Sequence, residues 1–147
     1  MRFKFALALQ RAARSTRSRS KLLGVPLAAI YRLYSLFVLS IDIPVSVQVG
    51  RGVRIHHGFG LVIHPNATIG DHVVLRHSTT IGSTESGPDA PAPKIGAGVD
   101  IGAGAIVIGA IVIGEGSRIG AGAIVTRSVP PRSVVRGVAA SSSSDLS

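Results

Sequence analysis

From Val49 onward, aliphatic residues recur at every sixth position, at Val49 and Ile55, then Ile63, Ile69, Leu75 and Ile81, then Ile95, Ile101, Val107, Ile113, Ile119 and Val125. Four of them, Ile95, Ile101, Ile113 and Ile119, are followed directly by Gly. An α-helix would scatter these positions over unlike faces, because six is not a multiple of its 3.6-residue turn. A solenoid of six-residue units places them identically. Each unit is a short strand and a turn, three units close a triangular coil, and the aliphatic side chains stack inward from coil to coil. No coil can bury itself alone, so the period predicts one continuous all-β solenoid rather than a set of separate elements.

Composition agrees with a core of that kind. The chain has 147 residues, with 18 Gly, no Trp and only 4% aromatic residues, so small and β-branched side chains must fill it. The absence of Cys excludes a disulfide scaffold, a Cys-based metal site and a thiol nucleophile, and fits a cytoplasmic protein. The net charge of +9 is concentrated at one end: seven of the 16 basic residues lie in Met1–Lys21 with no acid among them, leaving nine against seven acidic residues afterwards. No aromatics are interleaved among Arg11–Lys21 for base stacking, so a nucleic-acid partner is not expected.

Four segments follow from these shifts: a basic head (1–21), an apolar helical segment (22–43), the hexapeptide-repeat β-helix (44–131) with a loop at 82–94, and a C-terminal tail (132–147) whose Ser-rich end is expected to be disordered. Within 22–43, Pro26 and a central Arg32 disfavour a membrane span, at a cost of about 2.5–3.5 kcal/mol for the arginine. A helix packed on its own domain or on a neighbouring subunit is the first expectation for this segment. Residues 1–43 lying on an anionic membrane surface, at its inner face, is the second.

The period breaks twice, and breaks in a solenoid are where function is usually inserted. Ile55 to Ile63 is eight residues rather than six, an excess holding His56, His57, Gly58, Phe59 and Gly60. Ile81 to Ile95 is fourteen, which makes a loop whose Pro88, Pro91 and Pro93 resist regular pairing. Counting with the breaks puts Ile55, Leu75, Ile101 and Ile119 at one corner of successive coils, so that His57, His77, Ala103 and Ala121 form a column about 4.8 Å apart. Two imidazoles followed by two methyl groups suit a proton-transfer centre beside a smooth track for a long, thin ligand. A lone turn histidine is usually just a surface residue; the insertion at His57 and its column with His77 favour a chemical role. His56 faces the other way, and His64 and His72 read as surface residues. No His spacing reproduces a zinc motif, and no metal is expected.

The run IHHGFGLVIHPNATIGDHVVLRHSTTIG, the Pro-rich loop, then KIGAGVDIGAGAIVIGAIVIGEGSRIGAGAIVTRSVPP resembles the serine acetyltransferase family of hexapeptide-repeat acyltransferases, and within it the branch of exopolysaccharide clusters, over about residues 42–140. The resemblance implies a left-handed parallel β-helix and a homotrimer. It also implies acetyl-CoA, bound between neighbouring prisms, as the acetyl donor for direct transfer to a hydroxyl. It puts the catalytic histidine at His57 and the CoA-lining residues at Ala103 and Ala121; the column count offers His77 as the partner of His57, with a backbone carbonyl as the alternative. Gly82, Ser83 and Thr84 match a Gly-Gly-Thr with one change, and Lys94 falls in the retained Pro93-Lys94-Ile95.

The acceptor side, expected at His56 and Asp42, departs from the pattern. His56 stands where serine acetyltransferases carry Asp, and Pro91-Ala92 stand where they carry Arg-His. A zwitterionic acceptor needs both charged anchors, so a neutral hydroxyl such as a saccharide's is the expected substrate. Serine O-acetylation is the rival activity, and a non-catalytic assembly or membrane-docking solenoid is the rival class. Without Cys or an activated Ser, the chemistry expected is ternary-complex transfer rather than an acyl-enzyme.

Overall fold

The computed structural model describes residues 2–19 and 21–137. Two helices, α1 (Arg2–Arg19) and α2 (Lys21–Leu33), precede a π-helical turn at Tyr34–Val38. The repeats then build the parallel β-helix. Its first coil is β1 (Gln48–Val49), β2 (Arg54–His56) and β3 (Val62–Ile63); its second is β4 (Thr68–Ile69), β5 (Val74–Arg76) and β6 (Thr80–Gly82). The third comprises β7 (Lys94–Ile95), β8 (Asp100–Ile101) and β9 (Ile106–Ile108), and the fourth β10 (Val112–Ile113), β11 (Arg118–Ile119) and β12 (Ile124–Val125). A last strand, β13 (Val134–Val135), pairs in parallel with β11, so the solenoid runs past the expected boundary at 131. The disorder expected at the C-terminal end falls on residues 138–147, outside those described.

Three parallel sheets form the faces, in the orders β1-β4-β7-β10, β2-β5-β8-β11-β13 and β3-β6-β9-β12. Register follows the six-residue period: Ile69 pairs with Ile95, Ile81 with Val107, and Ile101 with Ile119. These side chains are buried in one cluster that runs the length of the prism. Each fully buried Ile or Leu stabilises the fold by roughly 1.5–3 kcal/mol, and none of that is available to a coil without its neighbours.

The first coil has no preceding coil to pair with, and α1 covers that end. Phe3, Ala6 and Leu7 join the core cluster, while the buried Gln10 amide donates to the carbonyls of Pro44, Val45 and Val47, the last at 3.0 Å. Arg14 also donates to Val47 and Arg11 to Gly50. From α2, the buried Tyr31 hydroxyl donates to the Ile43 carbonyl at 2.8 Å. Part of the basic head is thus a cap on carbonyls that a preceding coil of the solenoid would otherwise have satisfied. The helical run expected over 22–43 ends at Val38 in the structure: Ser40 takes a left-handed backbone with φ of 53°, and Asp42 is drawn into a parallel bridge with Val62. Among the described residues no helix is long and apolar enough to cross a membrane.

Candidate active site

The corner between β2 and β3 carries the first break. Strand β2 stays paired through His56, opposite Arg76, and β3 resumes at Val62, opposite Thr80, so the two extra residues must be taken up in the corner between them. The backbone ladder shows where: Ser78 donates to Phe59, Gly104 to His77 and Gly122 to Ala103, at 2.8, 3.0 and 2.9 Å. The same position in each coil has left-handed backbone, at Gly60, Ser78, Gly104 and Gly122.

The residue level with His77, Ala103 and Ala121 is therefore Phe59, which corrects the expected column. His57 lies in the bulge just before it. Its own backbone is left-handed, with φ of 49°, a conformation His tolerates better than most side chains and one that clusters at functional sites.

Gly58 explains why the bulge holds its shape. A Cβ there would lie 2.7 Å from Ile55, 2.9 Å from the Phe3 ring and 3.2 Å from Ile41, so the backbone after His57 is pressed against α1 and the chain entering the prism. The turn is closed by Leu61 donating to Gly58 and Gly60 donating to Ser40. His57 itself is exposed, as are His56 and His77. Below them the edge is smooth: Ala103 and Ala121 sit between the glycine pairs Gly102/Gly104 and Gly120/Gly122.

Two ion pairs set the charge around this corner. Asp42 pairs with Arg32, and Asp100 pairs with Arg76, each side chain being 35–41% exposed. Arg76 also donates to the Ile101 carbonyl at 3.0 Å, and its hydrogen bond to Asp100 raises its pKa further. A permanent cation therefore precedes His77, and the Asp42 carboxylate expected to meet the acceptor is already held.

Gly82, Ser83 and Thr84 lie at the other edge of the β3-β6-β9-β12 face, where β6 runs into the long loop. One chain does not bring them to the His57 corner. Lys94 is exposed on β7, beyond the loop, and with Asp89, Pro91 and Ala92 it lines a cavity of about 520 Å³. Asn66 holds this loop, its amide donating to Pro88 at 2.8 Å and Ala90 at 2.9 Å. Sequence reasoning passed over Asn66, although it occupies the loop's corner one coil earlier. Among the described residues no three His, Asp or Glu side chains converge as a metal site would require.

No family model matches the sequence. Individual relatives do. A protein of Escherichia coli named as a colanic acid biosynthesis acetyltransferase is 37% identical over 121 residues, which are 82% of this chain and 74% of that one. Soybean serine acetyltransferase superposes with a TM-score of 0.79 at 36% identity, over 90% of this chain and 54% of its own. Serine acetyltransferase of Brucella abortus in complex with coenzyme A gives a TM-score of 0.76 at 33% identity, over 91% and 52%. The chain thus spans about half the length of those solved structures. With the parallel β-helix and the identity over most of its length, the chain belongs to the hexapeptide-repeat acyltransferases that include the serine acetyltransferases and the colanic acid acetyltransferase.

Proposed function

We propose that this acetyltransferase moves the acetyl group of acetyl-CoA directly to a hydroxyl of a saccharide in exopolysaccharide biosynthesis. Neutral His57 takes the hydroxyl proton as the oxygen attacks the thioester carbonyl, and returns it to the departing thiolate. His77 is exposed on the same edge, one coil further on. Backbone N–H groups at Gly82–Thr84 stabilise the oxyanion, and Ala103 and Ala121 leave the track along which the pantetheine arm lies. These groups occupy two edges of one face, so a homotrimer that sets the His57 edge of one copy against the loop edge of the next assembles the site. The outward side chains of that face support this, since Val62 is 42% and Ile124 68% exposed and both want cover. We place the protein in the cytoplasm, with the outward face of the helical segment, whose other face packs on the prism, turned to the inner membrane surface.

The observation that carries the acceptor assignment is the pairing of two carboxylates near the corner, Asp42 in its bridge to Val62 and Asp100 on β8. Asp42 and Asp100 are each held by an arginine, so neither offers an unshared negative charge to an ammonium group, and His56 supplies none. A site that leaves buried charges of a substrate unpaired discriminates by orders of magnitude. The test is acetyl-CoA-dependent thiol release with serine, free sugars, nucleotide sugars and lipid-linked oligosaccharides as competing acceptors. A saccharide is expected to have the higher kcat/KM by at least about 10². Saturable serine acetylation at submillimolar substrate with every saccharide inert would reverse the assignment.

A further inference from the structure

A cavity of about 680 Å³ lies at the helical end, between α1, α2 and the segment after Ile43. Arg14, Arg17 and Arg32 line it, and Val25, Ala29 and Val45 supply apolar wall. No carboxylate lines it, and eight basic residues precede the first acidic residue of the chain, Asp42. Arg14 and Arg32 are already engaged, with the Val47 carbonyl and the Asp42 carboxylate, so the exposed Arg17 is the guanidinium placed to grip a phosphate at two oxygens, within the positive field of the other two. Beside the recess α2 and the π-helical turn after it present a ridge that their own chain leaves bare: Ile30 is 58%, Leu33 58% and Phe37 79% exposed. Their spacing of i, i+3 and i+7 sets them on one face, turned away from the buried Tyr31 and Ser35. A basic recess beside an apolar ridge is the pattern of a helix that lies in a lipid interface.

We propose that this cavity seats the phosphate of a membrane lipid whose chain lies along the Ile30–Leu33–Phe37 ridge. The inference rests on the reading that residues 1–43 meet a membrane, and it names the group recognised there. It also places that group usefully. Ser40 accepts a hydrogen bond from Gly60, beside the His57 bulge, and the four steps along the chain from Ser40 to Pro44 span at most about 14 Å. A saccharide carried on a lipid phosphate held at the arginines is within reach of the His57 corner.

The experiment is co-sedimentation of the full chain with vesicles of phosphatidylcholine alone, or of phosphatidylcholine mixed with phosphatidylglycerol, in the absence of acetyl-CoA. Binding to the mixed vesicles is expected, weakened about tenfold by Arg17→Glu and about tenfold by Phe37→Ser. Inorganic phosphate at millimolar concentration should not displace the protein. Wild-type binding that survives Arg17→Glu unchanged would overturn the cavity assignment while leaving the membrane reading in place. No binding by the wild type would remove both. Displacement by inorganic phosphate would identify a site for the soluble anion instead, and a change of oligomeric state in Phe37→Ser would show that a second copy covers the ridge.

Discussion

Replacing His57 with Ala is expected to lower kcat by about 10²–10⁴ while CoA affinity changes little, the usual consequence of removing a general base. The side chain is exposed on a bulge, so its loss removes chemistry and little packing. Its backbone does matter. With φ at 49°, alanine adds about 1–2 kcal/mol of left-handed strain, whereas Asn accepts that conformation. His57→Asn is therefore the cleaner variant: it keeps the turn and cannot act as a base. Near-normal turnover by a folded His57→Asn protein would remove His57 from the proposed mechanism.

The second large effect concerns the prism itself. A Cβ on Gly102 would lie 2.4 Å from the Ala121 nitrogen and 2.7 Å from the Gly120 carbonyl carbon, atoms of the next coil's backbone that no rotamer change can move. Gly102→Ala must push two coils apart beside the alanine track, at an expected cost of about 3 kcal/mol or more. Gly122 is the matched control. It has φ of 66° but nothing within 4 Å of an added Cβ, so Gly122→Ala should cost only the backbone strain, about 1–2 kcal/mol. Thermal or denaturant unfolding of the two variants decides between packing and conformation. Equal destabilisation would mean that coil stacking is not as tight as these contacts indicate.

The solenoid was legible because its signal is periodic: Ile95, Ile101 and Ile113 repeat one environment, and the ladder pairs them and their equivalents as the count required. The bulge was only half legible. Counting locates two surplus residues between Ile55 and Ile63 but cannot say which of them leave the ladder. That choice is made by Gly58 fitting against Phe3 and Ile41, contacts with segments that lie outside the repeat. Phe59 rather than His57 thus falls level with His77. The role of α1 was hidden for a similar reason. Arg11 and Arg14 stand in the sequence only as part of a basic head, and the first coil's carbonyls, which no preceding coil meets, turn them into caps. The pairing of Asp42 with Arg32 joins residues from a helix and a strand entry that carry no periodic signal.

The most direct measurement follows CoA thiol and acetyl ester together when the purified chain meets acetyl-CoA, first alone and then with a saccharide acceptor. The account predicts no acetyl group on the protein and no thiol release without acceptor. Once acceptor is present it predicts one thiol for each ester formed, and loss of both in His57→Asn. Acetyl group retained on the protein, or thiol release with serine alone among the hydroxyl acceptors, would contradict it.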